Sequence, residues 1–273
     1  MSKTKIELTG VAETLLIPLY LKAQATKNNH PKIHDEKAVQ IVDSIDYDFE
    51  KFKNSKLSGY GVIARTIIFD REMKQFIQEN PLATIVSIGC GLDTRFSRMD
   101  NGLIRWYDLD VPESIDVRKQ FFSDEVEKSN GRVKMISKSA WDFTWMDEIE
   151  VNKTEDGKDA AVLFLIEGVL MYFSVDEVQE LFNTVTNRFK GCFWLCEFMS
   201  KWSSEHSNIH DSVGKVGMSF KWGVKGGEEV EELCPLLKMK GYWNLSDEFP
   251  WVIGFIARSF NDTIGFYHNE NSL

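Results

Sequence analysis

The chain has 273 residues, of which 43% are hydrophobic, 12% aromatic and 27% charged, an ordinary balance for a globular protein with a sizeable core. Its formal net charge of -10 weighs against nucleic acid or an anionic membrane surface as the main partner and leaves a small ligand in a local basic pocket open. The start, Met1 to Lys5, is polar, without the apolar segment of a signal peptide, and no apolar run approaches the ~18 residues of a membrane span.

Up to about Pro81 the periodicity is helical. In "GVAETLLIPLYLKAQA" the residues Val11, Leu15, Leu16 and Leu19 share a face. In "DEKAVQIVDSIDYDFEKF" the apolar stripe is Ala38, Ile41, Val42, Ile45, Phe49 and Phe52, and "YGVIARTIIFDREMKQFI" supplies a third helix. Three helices before any strand predict a cap packed on another unit. Beyond Pro81 short β-rich runs alternate with helices: "TIVSIG", "LIRWYDLD", a helix "VPESIDVRKQFFSDEVEK" with Pro112 in its first turn, "RVKMIS", "AAVLFLIEG", a helix opened by the capping-box pair Ser174 and Glu177, and "GCFWLCEF". That alternation predicts a parallel sheet with helices on both faces. Ser200 to Lys240 breaks the rhythm and is expected to form part of a lid, and "WVIGFIARSF" is expected as a final strand. The cysteines Cys90, Cys192, Cys196 and Cys234 form no Cys-x-x-Cys pair and have no histidine at metal-site spacing, so a reduced, cytoplasmic protein without structural zinc is expected.

In a doubly wound sheet, ligands bind at the carboxyl ends of the strands. The loop Gly89-Cys90-Gly91-Leu92-Asp93-Thr94 closes the first strand, where glycines let backbone approach a ligand. About twenty residues on, the second strand ends in Asp108-Leu109-Asp110, and an acidic strand end at that distance accepts hydrogen bonds from ribose hydroxyls. A nicotinamide dinucleotide would want a third glycine where Thr94 stands, and a helix N-terminus for its pyrophosphate. S-adenosylmethionine has the ribose without the phosphates. A tight turn with a solvated aspartate is the plain alternative.

Three stretches, "IVSIGCGLDTRFSRM", "WYDLDVPESIDVRK" and "LFLIEGVLMYFS", together resemble the leucine carboxyl methyltransferase family, and most of all its bacterial branch with the tetracenomycin-type polyketide carboxyl methyltransferases. "GLDTR" and "EGVLMY" carry that resemblance more than the glycines do, and it runs from the helical N-terminus weakly down to "FKWG". It implies a class I S-adenosylmethionine-dependent methyltransferase fold, Rossmann-like, with a mostly parallel seven-stranded sheet, an N-terminal helical extension and a lid insertion. It implies one methyltransferase domain, divided as cap 1–80, cofactor-binding core 81–199, lid 200–240 and terminal strands 241–273.

By that resemblance Gly89, Cys90 and Gly91 would approach the cofactor's methionine part and ribose, Asp110 would hold the ribose hydroxyls, and Arg65 would pair with its carboxylate, which suits a planar guanidinium fork. Lys22 would add a second positive charge there. Ser139 and Ala140 stand where adenine contacts fall, with Asp142 as an alternative. Glu167, a carboxylate closing an apolar strand, needs a partner: the cofactor's ammonium, a backbone N–H or a buried pair with Arg65. Tyr172 would touch the methionine part or the substrate.

The protein's task in methyl transfer is to position and desolvate. A carboxylate acceptor is ionised at neutral pH and needs no general base, whereas a hydroxyl acceptor does. No catalytic residue stands out. His206 and His210, four apart, are the candidate base or metal pair, with solvated lid residues as the alternative. Trp202, Phe220, Trp222, Trp243 and Trp251 could line an apolar acceptor pocket or fill a core. The expected partner is a small-molecule substrate, with a hydroxyl acceptor, a catalytically silent cofactor-binding protein and a nicotinamide-dependent oxidoreductase as rivals.

Overall fold

A computed structural model describes residues 15–52, 56–205, 220–249 and 262–271. The expected strand "WVIGFIARSF", the pair His206 and His210, and Val11 lie outside the described residues.

The N-terminal part is helical. Helix α1 spans Leu16–Lys27, α2 spans Glu36–Ser44 and α3 spans Lys56–Glu79. Asp35 starts α2: its carboxylate accepts the Ala38 N–H at 2.9 Å, satisfying one of the N-terminal donors that a helix leaves unpaired. Leu16, Leu19, Tyr20 and Ala23 of α1 pack on Ala38, Ile41 and Val42 of α2 in a cluster of their own, which also takes in Leu92 and Phe122 of the body.

The body is a seven-stranded sheet in the order β3-β2-β1-β4-β5-β7-β6. Its strands are β1 Thr84–Ile88, β2 Arg105–Asp110, β3 Val133–Ser137, β4 Val162–Ile166, β5 Phe193–Phe198, β6 Leu237–Asn244 and β7 Thr263–Asn269. The first five are mutually parallel, and β7 is antiparallel to both β5 and β6. Helix α4 (Arg95–Met99) follows β1, α5 (Pro112–Lys128) follows β2 and α6 (Val175–Arg188) follows β4. Pro112 stands in the first turn of α5, and the Ser174–Glu177 capping box is formed at the start of α6.

Alternation along the strands feeds two cores. Val86, Ile88, Phe164 and Ile166 face α6 with Val178, Leu181 and Phe182, while Ile85, Leu163 and Leu165 face α3 with Ile68, Phe69, Met73 and Phe76. Burial on both faces explains why β4 reads as an unbroken apolar run; β1 is buried along its whole length too, with only Thr84 and Ser87 polar.

The expected lid over 200–240 is described only in part. A short helix α7 (Lys201–Glu205) leaves β5, but Val224, Val230 and Cys234, the last two on or just after helix α8 (Glu228–Leu233), are buried in the larger core, and β6 already begins at Leu237. The described residues from 220 onward therefore build the flank of the sheet. No described helix is long and apolar enough to cross a membrane.

Candidate active site at the strand ends

The chain runs from β1 to β2 and β3 on one side, then crosses to β4 and β5 on the other, so a crevice opens at the carboxyl ends of β1 and β4. The glycine loop sits there. Gly89 and Gly91 have φ of 68° and 45°, the left-handed region that favours glycine. A Cβ on Gly89 would fall 2.4 Å from Val169 Cγ2, and one on Gly91 would fall 2.8 Å from Leu15 Cδ2. The loop is tied to β2: Gly89 N–H donates to Leu109 O at 2.8 Å and Gly91 N–H to Asp110 Oδ2 at 2.8 Å. Asp110 Oδ1 accepts the Val111 N–H at 2.8 Å. Burial pushes the Asp110 carboxyl up, and these N–H groups only partly offset it. Cys90 between the glycines is buried, which raises its thiol well above the ordinary value and makes it an inert core residue.

Arg118 of α5 braces the loop from below. It is fully buried, pairs with Asp108 Oδ2 at 2.9 Å and donates to Gly91 O at 3.1 Å and Asp93 O at 2.8 Å.

Beside the loop lies one connected ion network. Arg65 of α3 places Nε 2.8 Å from Glu167 Oε1 and donates from Nη1 to Glu197 Oε2 at 3.1 Å. The Nε–H points off the Glu167 oxygen: the contact is ionic without hydrogen-bond alignment, and among the described residues this Nε is the buried side-chain atom left without a hydrogen bond. Glu167 Oε2 accepts from Arg95 Nη2 at 2.7 Å. Arg95, at 0% exposure, also reaches Asp93 at 2.6 Å and Asp70 at 2.8 Å. Arg98 binds Asp70 at 2.6 Å and Asp35 at 3.2 Å. Lys22, buried on α1, donates to Thr94 Oγ1 at 3.1 Å and lies 3.5 Å from Asp93 and 3.6 Å from Asp35.

Burial opposes every charge in this network, and pairing decides the outcome group by group. At Glu167, Arg95 and Arg65 outweigh burial and hold the carboxyl below its ordinary value; at Asp93, Arg95 and Lys22 do so by a wide margin. At Arg65 the two glutamates outweigh burial and raise the guanidinium. At Glu197 burial wins over Arg65 and the Gly168 N–H it accepts at 2.7 Å, and the carboxyl is raised.

The structure thus brings together Arg65 and Glu167, in the buried pair that the sequence left as one option, and joins Gly91 to Asp110. Lys22 is spent on Asp93, Asp35 and Thr94. Tyr172 ends a 3-10 turn (Leu170–Tyr172), packs on Phe220 with ring centroids 5.6 Å apart and has its hydroxyl raised by burial. Ser139 and Ala140 stand apart beyond β3: Ser139 Oγ accepts the Trp141 N–H at 3.2 Å, and Ala140 O accepts from Trp145 Nε1 at 3.0 Å. The Asp142 carboxylate caps a 3-10 turn through Thr144. Arg95 and Glu197 went unassigned in the sequence. Glu197 carried a signal, since it is a carboxylate in an apolar strand, as Glu167 is; Arg95 carried none beyond its place in "GLDTR". No group of three or more His, Cys, Asp or Glu among the described residues is arranged to hold a metal. A hollow of about 630 Å³ lined by Tyr20, Lys27, Tyr47 and Phe49 lies on the cap, away from these residues.

Five parallel strands, an antiparallel β7 between β5 and β6, and a glycine loop tied to an acidic β2 end are the class I S-adenosylmethionine-dependent methyltransferase fold. The chain belongs to the leucine carboxyl methyltransferase family, whose model matches residues 16–186. It is 29% identical over 282 aligned positions to the S-adenosyl-L-methionine-dependent methyltransferase dpfgK of Gibberella zeae, covering 94% of this chain and 92% of that one. It is 26% identical over 243 positions to the tetracenomycin polyketide synthesis O-methyltransferase TcmP of Streptomyces glaucescens, covering 89% and 86%. A solved structure of a candidate methyltransferase from Thermobifida fusca shares the fold with a TM-score of 0.62 at 11% identity, over 96% of this chain and 95% of that one.

Proposed function

We propose that the chain transfers the methyl group of S-adenosylmethionine to an oxygen of a small molecule, and that this oxygen belongs to a carboxylate. The charge of the strand-end network carries the reading. It holds five carboxylates, Asp35, Asp70, Asp93, Glu167 and Glu197, against four cations, Lys22, Arg65, Arg95 and Arg98. A ligand with one net positive charge balances it, and S-adenosylmethionine, with an ammonium, a carboxylate and a sulfonium, is such a ligand. A nicotinamide dinucleotide brings a pyrophosphate instead, and the place for one is taken: Asp93 Oδ1 accepts the Arg95 N–H at 3.1 Å, at the start of α4.

The residues present fit the donor. Asp110 keeps lone pairs beyond its two backbone contacts for ribose hydroxyls. Arg65, with its unpaired Nε, takes the α-carboxylate, and Glu167 the α-ammonium. Gly89, Cys90 and Gly91 line the methionine and ribose part, Ser139 and Ala140 the adenine side, and Tyr172 the methyl end. Lys22 acts through the loop, holding Asp93 and Thr94 in place. When bound, the donor supplies an electrophilic methyl: its C–S bond breaks as a C–O bond forms, leaving a neutral thioether and a methyl ester. The chain's part is to hold both reactants in line and exclude water. A carboxylate acceptor arrives ionised and asks for no base, in keeping with the family.

Calorimetric titration with S-adenosylhomocysteine tests the donor site. Wild type is expected to bind, and Arg65→Ala and Asp110→Asn each to lose about 10- to 100-fold in affinity, the worth of a hydrogen bond to a charged group. No binding by wild type, or binding of NADH in its place, overturns the reading.

A further inference from the structure

Just beyond β5, at the same end of the sheet as the glycine loop, the surface forms a second hollow. It measures about 300 Å³ and is lined by Lys201, Trp202, Lys225, Tyr242, Asn244 and Thr263, among others. That volume is at the lower end of ligand pockets, about 300–1,000 Å³, and fits one end of a small molecule. Its place follows from topology: β5 ends at Phe198, β6 ends at Asn244 and the antiparallel β7 begins at Thr263, so all three meet at the carboxyl edge.

A polar thread joins this hollow to the ion network. Asp262 Oδ1 accepts the Ser200 N–H at 2.9 Å, and the Asp262 carboxyl lies in the field of Glu197 and Arg65. The lining has a definite chemistry. Neither ammonium, of Lys201 or of Lys225, has an ion-pair partner among the described residues, in a chain whose formal charge is -10. Trp202, a large ring, is 40% exposed. Tyr242 adds a second ring, fixed by a hydrogen bond from Thr263 Oγ1 to its hydroxyl at 2.8 Å. Glu228 and Glu229 act on Tyr242, and Glu229 accepts the Lys225 backbone N–H at 2.9 Å, but the ammonium groups themselves stay without an ion-pair partner among the described residues; two such cations beside two rings favour a flat, anionic ligand.

We propose that this hollow holds the far end of the methyl acceptor, an aromatic acid bearing a second anionic group, its ring against Trp202 and Tyr242 and that group between Lys201 and Lys225. The inference rests on the donor reading in one respect, that transfer takes place at the strand-end network. The second group gives specificity: an acid lacking it leaves both ammonium groups unpaired.

The test compares naphthalene-2-carboxylate with naphthalene-2,6-dicarboxylate by calorimetry, on the full chain saturated with S-adenosylhomocysteine. The dicarboxylate is expected to bind about five- to tenfold tighter at low salt, as two partly exposed ion pairs allow, and the preference to shrink at high salt. Lys201→Gln/Lys225→Gln is expected to bind both acids equally, with its S-adenosylhomocysteine affinity and thermal midpoint unchanged. Equal binding of the two acids by wild type, binding of neither, or a preference that survives the double substitution overturns the proposal. Absence of S-adenosylhomocysteine binding counts against the donor reading alone; the acids are then titrated into the free chain, where the same preference and its loss still decide the pocket.

Discussion

Arg95→Met removes the hub of the network while keeping side-chain length and apolar bulk. In the folded chain the guanidinium is wholly buried and serves Asp70, Asp93 and Glu167 at 2.6–2.8 Å. Without it Asp93 keeps Lys22 at 3.5 Å, Glu167 keeps a misaligned Arg65 and Asp70 keeps Arg98. Removing one partner from a buried ion pair costs about 3–5 kcal/mol, because the stranded charge stays desolvated. At ~2–4 °C per kcal/mol for a chain of this size, the thermal midpoint falls by roughly 10 °C. Urea unfolding at pH 7 measures the loss directly. Its pH dependence tests the cause. Arg95 is among the groups that hold Asp70, Asp93 and Glu167 below their ordinary values, so their stabilisation is present above the unfolded carboxylate range near ~4 and is lost as pH falls through the folded values. The gap between wild type and variant is therefore widest at neutral pH and narrows in acid. A loss under about 1 kcal/mol, or one that is flat with pH, would mean that Arg95 behaves as a solvent-screened charge and not as the hub of a buried network.

Asp262, whose carboxyl burial pushes up to about 7, contributes stability as the neutral acid that is fully present below the unfolded value and lost as pH rises through 7. Asp262→Asn keeps an acceptor for the Ser200 N–H, so the variant should match wild type only below the unfolded carboxylate value near ~4, pull ahead as pH rises towards 7 and exceed it in thermal midpoint at pH 8; equal midpoints at pH 8 count against a buried charge there. Gly89→Ala forces a left-handed φ of 68° on alanine and drives its Cβ to 2.4 Å from Val169 Cγ2, so it should cost about 1–3 kcal/mol and most of the S-adenosylhomocysteine affinity. Adding Val169→Ala should return only part of the stability, since it relieves the overlap and leaves the backbone strain; full recovery would show that the strain is negligible.

The five parallel strands were legible because short β-rich runs alternate with helical ones, and most of all in β4, where burial on both faces leaves the unbroken apolar run "VLFLI". The edge was harder. In β6 the exposed Lys238 and Lys240 alternate with Leu237 and Met239, so the strand reads as polar loop, and β7 carries Gly265 and His268. At the site, Gly91 and Asp110 could be paired from spacing, because β1 and β2 are adjacent parallel strands whose ends fall together. The network could not. Asp35, Asp70, Arg95 and Glu197 come from four elements or their caps, and only packing of the cap on the sheet brings them within reach. Isolated charges on helices read as solvated, and nothing local marks Arg95 as buried.

That wiring has a consequence for dynamics. Lys22 of α1, Asp35 before α2, and Arg65 and Asp70 of α3 all end on groups of the glycine loop, α4 or the strands β4 and β5. Lifting the cap would strand Glu197 and leave Asp93 and Glu167 to Arg95 alone, while removing Arg65 from the donor's side of the site. Cap docking and donor binding thus draw on one set of charges, and a ligand that fills the site should hold the cap down. Amide exchange gives the measure. At S-adenosylhomocysteine about 100-fold above its dissociation constant, linkage adds ~2.7 kcal/mol to any opening that destroys the site. Amides of α1 and α3 that exchange by cap lifting should then slow by about 100-fold, in step with those of β1 and β4. If α1 exchanges at an unchanged rate while the strands slow, the cap opens without disturbing the donor site, and Lys22 and Arg65 cannot both be holding it.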